Sequence, residues 1–271
     1  MNANTATLKD VTSFFDSIKV ESKKSPARFL FYGPEGVGKT SFAAQSKDPV
    51  IIQSKGETGA ETLISSGQIA PTPHVEVVQW EAYLDGLKQL REGKHDYKTC
   101  VVDTLNGVEN LLYDFVCRED YGGRWSGGKD SFMSWHQGYR AATNHWQEML
   151  DILDDLRSHR NMAVILLAHQ QVTSYDNPEG SDYHRITPDL YKEQYHLVRK
   201  WTDGIIYLNF LTEVNDDGKG VDGTTRVGYT ERRAAFDAKN RYGLGSFFSL
   251  GENAQEAWSN FTSLFKKKET K

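Results

Sequence analysis

Eight consecutive residues, Gly33-Pro34-Glu35-Gly36-Val37-Gly38-Lys39-Thr40, carry the strongest chemical signal in this 271-residue chain. They match G-x-x-x-x-G-K-[ST] without a gap. Glycines at this spacing let the backbone turn with its N–H groups pointing inward at phosphate oxygens. The helical pattern after the motif, through Ser41, Phe42 and Ala43, aims a positive dipole end at the same charge. Lys39 can reach the β and γ phosphates of a nucleotide, and the Thr40 hydroxyl can ligate Mg²⁺. A chance match in a Gly-rich turn is the competing reading. The apolar strand before the motif and the helical pattern after it weigh against chance.

Asp103 is the second residue of interest. It ends the apolar run Thr99-Cys100-Val101-Val102-Asp103. A carboxylate at the end of a buried strand can hold Mg²⁺ directly or through water. It can also be the N-cap of the helix after Thr104. The phosphate loop favours the metal role. ATP and Mg²⁺ are therefore the expected ligands.

These residues need elements to position them. Residues 28–32 are an apolar run ending in Gly33-Pro34, the pattern of a buried strand and a turn. Further strands are expected at 49–53, 75–79, 99–103 and 162–168. Helical periodicity covers 8–18, 81–92, 105–118, 138–158 and 192–201. A Gly-rich, aromatic loop lies at 119–135, and the polar stretch 170–191 reads as a mobile loop. Strands at 204–210, 224–230 and 234–238 succeed one another without helices, which suggests antiparallel pairing. A helix at 254–265 shows Ala254, Trp258, Phe261 and Phe265 on one face. Alternating strand and helix, then consecutive strands, argues for an α/β domain with a mixed sheet. The division expected is a helix and linker at 1–25, a core at 26–250, and an amphipathic helix with a basic tail at 251–271.

Composition narrows the classes. The chain has 32 Lys+Arg and 37 Asp+Glu, a net charge of −5, so any nucleic-acid contact must come from a local patch. The longest apolar run, 162–168, is far short of the roughly 20 residues that span a bilayer. No membrane partner is expected. Two cysteines, Cys100 and Cys117, exclude a disulfide scaffold and argue against a Cys-based zinc site. With no basic or apolar leader at residues 1–5, the expected location is cytoplasmic.

Asp103-Thr104 leading into an apolar helix resembles the RecA-like group of P-loop ATPases. In that group a water-activating Glu comes after the second strand, which implies Glu57 as the base. Its offset from the strand is unusual, and a plain surface carboxylate is the other reading. The resemblance also implies a γ-phosphate sensor after the strand at 162–168, either His169 or Gln170. A structural histidine is the alternative there. The string Lys239-Asn240-Arg241-Tyr242-Gly243 is similar to the Lys-Asn-Arg-Phe-Gly motif of RadA recombination proteins. This implies that Lys239 and Arg241 act in trans on a neighbouring subunit's nucleotide, stabilising charge on the transferring phosphoryl group. A solvated hairpin tip would show the same two cations.

Taken together, the chain resembles phage and prophage ATP-binding proteins of the RecA-like type, over residues 26–248. Some of these are linked to single-strand annealing and recombination, as compact relatives of RadA and RecA. Supporting pieces are Gly56-Glu57-Thr58-Gly59, Asp96-Tyr97-Lys98-Thr99, Leu166-Leu167-Ala168-His169 and Tyr183-His184-Arg185. Lys55 stands where many relatives carry an acidic residue, which leaves the base open. The implied fold is a RecA-like P-loop NTPase core, α/β, its largely parallel central sheet extended by antiparallel C-terminal strands. The implied function is an ATPase acting on single-stranded DNA, as a homo-oligomer with nucleotide at the subunit interface. Arg124, Trp125 and Lys129 in the first loop, and Tyr183, His184 and Arg185 in the second, supply the cations and aromatics that single strands need. The alternative is that these loops only cover the sheet edge. Other function classes are a nucleotide-binding structural or motor protein of phage assembly and a small-molecule kinase. Arg185 is the only arginine in 170–191, so the Arg-rich lid of such kinases is missing.

Overall fold

A strand that is apolar at every position needs cover on both faces. Residues 29–32 of Arg28–Tyr32 and the whole of Ala163–Ala168 are such runs, and they lie side by side at the centre of the sheet. The computed structural model describes residues 18, 25–214 and 220–266. The element order is β1 (Arg28–Tyr32), α1 (Lys39–Ala43), β2 (Pro49–Ser54), α2 (Gly59–Ser65), β3 (His74–Val77), α3 (Trp80–Glu92), β4 (Thr99–Asp103) and α4 (Leu105–Tyr121). Next come α5 (Gln137–Arg160), β5 (Ala163–Ala168), β6 (Gln170–Tyr175), β7 (Tyr183–Pro188), α6 (Lys192–Trp201), β8 (Gly204–Val214), β9 (Gly220–Tyr229), β10 (Lys239–Asn240), β11 (Phe247–Ser249) and α7 (Ala254–Lys266).

Among the described residues the main sheet has the order β11-β9-β8-β1-β5-β4-β2-β3, with β10 beside β8. From β3 through β8 every pairing is parallel. β9, β10 and β11 add antiparallel pairs. This is the expected α/β class, a largely parallel central sheet extended by antiparallel strands. One strand, β5, separates the phosphate-loop strand β1 from the Asp103 strand β4.

Side chains of β1 alternate between two cores. Leu30 and Tyr32 join Trp80, Tyr83, Leu112, Trp146 and Leu153 under α3, α4 and α5. Phe29 and Phe31 face α1 and α7, where Phe261 packs edge-on at 5.2 and 5.4 Å between centroids. Trp258 stands 5.1 Å from Phe42. The C-terminal helix thus closes its own core. The helix expected at 8–18 and the basic tail at 267–271 lie outside the described residues, Ile18 excepted.

Two expectations are corrected. Residues 170–191 contain a two-stranded antiparallel hairpin, β6–β7, in place of a loop. Its strands are polar, so they show no hydrophobic alternation; cross-strand contacts hold them, with the Arg185 guanidinium 4.1 Å from the Tyr175 ring centre. The strand expected at 234–238 is reduced to one bridge, Ile186 to Phe236, followed by the two-residue β10.

Glu109 on α4 is 6% exposed and accepts the backbone N–H of Tyr191 at 3.0 Å, tying α4 to the start of α6. Burial pushes its carboxyl up to about 8. The unfolded chain releases this proton near the ordinary 4.5, whereas the folded chain keeps it. Stability therefore declines as pH rises between those values and levels off above them. Glu109→Gln keeps an acceptor for Tyr191 and should flatten that decline. Urea midpoints at several pH values between 5 and 8.5 check this; an unchanged slope would refute it.

Candidate functional site

The parallel register levels the strand ends. Tyr32 pairs with Ala168, Leu167 with Asp103, and Asp103 with Gln53. The segments leaving these strands therefore gather at one sheet edge. A cleft of about 690 Å³ opens there, lined by the phosphate loop, Lys55, Glu57, Asp103, Thr104, His169 and Arg226. In the loop, Gly36 and Gly38 have φ of 74° and 100°, a region other residues avoid. Gly33 lies against the next strand; a Cβ there would sit 2.1 Å from the Leu208 carbonyl oxygen. The helix after the loop is only five residues long, so loop N–H groups and Lys39 supply most of the positive field.

Lys39 is 7% exposed, and its ammonium donates to the carbonyls of Gly33 at 3.0 Å and Pro34 at 2.9 Å. Burial lowers its pKa, against the pull of Asp103 and Glu57. The Thr40 hydroxyl donates to Asp103 Oδ2 at 2.8 Å. Burial pushes the Asp103 carboxyl up to about 6. One hydroxyl and one carboxylate, adjacent and sheltered, fit Mg²⁺, which takes one or two protein oxygens and completes its octahedron with water and phosphate. The cap role falls to Thr104, whose hydroxyl accepts the Gly107 N–H at 3.4 Å.

Glu57 faces the cleft. Its Oε1 takes hydrogen bonds from Thr104 Oγ1 at 3.1 Å and His169 Nε2 at 3.2 Å. The His169 bond holds the Glu57 carboxyl below its ordinary range, with Thr104 adding to it and burial opposing. Gln53 fixes the turn by donating to the Glu57 carbonyl at 2.9 Å. The His169 backbone N–H donates to Asn106 Oδ1 at 3.1 Å. Gln170 does not line the cleft; its Oε1 accepts the Tyr207 hydroxyl at 3.0 Å. The geometry thus separates His169, beside Glu57, from Gln170, at the root of the hairpin.

Sequence reasoning missed Arg226. It lies on β9, and its guanidinium donates to Val37 O at 3.4 Å, Gly251 O at 3.1 Å and Glu252 O at 3.2 Å. No motif marks it. The pairing of β9 on β8 alone brings it to the phosphate loop.

Lys239 and Arg241 are not at this edge. β10 pairs with Gly204 and Ile205, the beginning of β8, whereas the phosphate loop continues from the far end of β1. Lys239 Nζ donates to Arg199 O at 2.5 Å and Thr202 O at 2.6 Å, capping α6. Burial, then the Arg241 charge, lowers its pKa to about 8. Arg241 reaches Lys200 O at 3.0 Å and Asp203 at 3.4 Å.

Of the residues expected at DNA, Arg124, Trp125 and Lys129 are exposed, and Trp135 beside them is 78% exposed. His184 is exposed and Tyr183 half-buried. Arg185 differs: it is 6% exposed and donates to Ala234 O at 3.1 Å and to the Tyr183 hydroxyl at 2.5 Å. It holds the hairpin to residues 234–236 and leaves little surface for a phosphate. Among the described residues no helix is long and apolar enough to cross a membrane.

The profile of a family described as an AAA domain matches residues 25–242. No curated protein matches the chain. Among solved structures, the crystal structure of the RadB recombinase is similar at a TM-score of 0.46 and 14% identity, over 85% of this chain and 90% of that one.

A buried carboxyl held near 6 weakens the fold at higher pH, because the unfolded chain ionises freely from 3.8 upward. Asp103→Asn should therefore leave the thermal midpoint at pH 8 equal to or above that of the unchanged protein. The same variant should lose about 100-fold or more of any Mg²⁺-dependent ATP turnover, since metal-based charge stabilisation is worth several kcal/mol. Thermal melts and phosphate release check both halves. A lower midpoint with normal turnover would make Asp103 purely structural.

Proposed function

The chain belongs to the AAA-domain family, and from that premise we propose that it is a RecA-like ATPase acting on single-stranded DNA in recombination or annealing of the phage type. One observation carries the nucleotide half: Thr40 and Asp103 stand 2.8 Å apart beside Lys39, at the edge where Glu57 is held ionised by His169. Lys39 exchanges its carbonyl partners for β and γ phosphate oxygens. Thr40 and Asp103 would hold Mg²⁺, which when bound would neutralise phosphate charge. Glu57, kept as a carboxylate by His169 and Thr104, orients water and accepts its proton. A rearrangement at the γ-phosphate that displaces His169 pulls on β6, which begins at the next residue.

The DNA half rests on exposed Arg124, Trp125 and Lys129, with Tyr183 and His184 at the hairpin. Cations beside stackable rings suit strands without sequence preference. Oligomerisation belongs to the same proposal. Lys239 and Arg241 lie on the edge away from their own cleft, so only another copy can present them to a nucleotide.

Lys39→Ala should abolish tight ATP binding, because each charge-assisted bond lost is worth about 1.5–3 kcal/mol. Unchanged affinity in the folded variant would remove the nucleotide reading. Single-stranded DNA should raise ATP turnover, with affinity falling on a log–log salt slope of about −0.7 per neutralised phosphate. Absence of strand binding at low salt with ATP would remove the DNA half and leave the nucleotide half standing. Lys239→Ala and Lys39→Ala, each inactive alone, should regain turnover when mixed. No recovery in verified mixed oligomers would rule out the trans role.

A further inference from the structure

The cleft at the phosphate loop does not end at the loop. A second cleft of about 220 Å³ shares Gly38, Ser41, Gln68 and Arg226 with it and continues toward the start of α7. The second cleft touches none of Asp103, Glu57 and His169. A nucleotide has two ends, and the protein marks one of them: Thr40, Asp103 and Glu57 define the γ end. The chain of phosphates must then run back past Ser41. The sugar and base emerge at Gln68 and Arg226, where the second cleft begins.

The lining suits a base. Leu250 and Ala254 form an apolar wall. Arg226 stands between the two clefts. Its N–H groups are engaged in the guanidinium plane by Val37, Gly251 and Glu252 carbonyls. Such a group keeps a flat, cationic face free to stack on a planar ring. It is also locked against Gly38, where a Cβ would lie 3.1 Å from Arg226 Nη1.

We propose that the cleft between Arg226 and the start of α7 binds the nucleobase and ribose of the nucleoside triphosphate, with the Arg226 guanidinium as its stacking surface. This deepens the nucleotide reading above and rests on it. It makes Arg226 a residue of base affinity, separate from the phosphate-binding machinery of Lys39 and Thr40.

Calorimetric titration of the full chain with Mg²⁺ and either ATP or inorganic tripolyphosphate separates the two parts. The unchanged protein should bind ATP more tightly than tripolyphosphate. Arg226→Ala should weaken ATP about tenfold, the order of one lost cation–π contact, and leave tripolyphosphate within about twofold. Ala254→Trp fills the second cleft without removing a hydrogen bond, and it should produce the same split. It also decides the matter if Arg226→Ala does not fold. Equal loss for both ligands, or no loss for either, overturns the proposal. If the unchanged protein binds tripolyphosphate as tightly as ATP, the base makes no contact and the proposal falls while the phosphate site stands. If it binds neither ligand, the nucleotide reading itself falls and takes this one with it.

Discussion

The shared register of four parallel strands is the constraint on which the site depends. β1, β5, β4 and β2 end level, with Tyr32 beside Ala168 and Asp103 between Leu167 and Gln53. A strand advances about 3.3 Å per residue, and a one-residue slip turns every side chain to the other face. Either displacement would break the 2.8 Å contact between Thr40 and Asp103. The register is held by burial. Leu30, Val102 and Leu166 fill one core, while Phe31, Val101 and Leu167 fill the other. A one-residue slip would exchange the two sets, and each is close-packed against the helices on its own side.

At the functional edge, burial works against charge. Asp103 is driven toward its protonated form and Lys39 toward its neutral one. Each is stabilised most by the charge a bound nucleotide brings: anionic phosphate for the lysine, a divalent cation for the aspartate. The opposite edge is arranged the other way. Arg28 is clamped by Asp203 at 2.9 Å and Asp154 at 3.0 Å, and stands over the Trp201 ring. Lys239 and Arg241 close the end of α6 beside it. Arg28 has its charge satisfied inside the fold, whereas Lys39 and Asp103 are left in want of a ligand.

The antiparallel extension has its own part in the site. β8 lies against β1, and β9 lies against β8. Gly33 is needed because the Leu208 carbonyl of β8 approaches so closely. Arg226 of β9 reaches over the loop to the segment before α7. Through the Leu208 contact at Gly33 the C-terminal third of the chain fixes the position of a loop near its beginning, and α7 seals the core beneath that loop with Phe261.

The phosphate loop, Asp103, the order of strands and helices through Ala168 apart from α2, and the antiparallel ending were legible in the amino-acid sequence. These signals are local: a fixed motif spacing, an apolar run, a helical period. The hairpin at 170–188 was not legible, because its strands are polar and their pairing, not their pattern, defines them. The same limit applies to side chains. Nothing in the spacing of Glu57, Thr104 and His169 joins them; the level strand ends do. Spacing could not separate His169 from Gln170, since adjacent residues on an extended chain point to opposite sides and only the neighbours decide which side is the cleft. Arg185 reads as a free cation beside two aromatics, yet tertiary contacts bury it. Arg226 carries no sequence signal at all, because its role depends on two successive strand pairings and on a loop some 190 residues away. Local chemistry sets what a residue can do, and long-range pairing decides which residues meet.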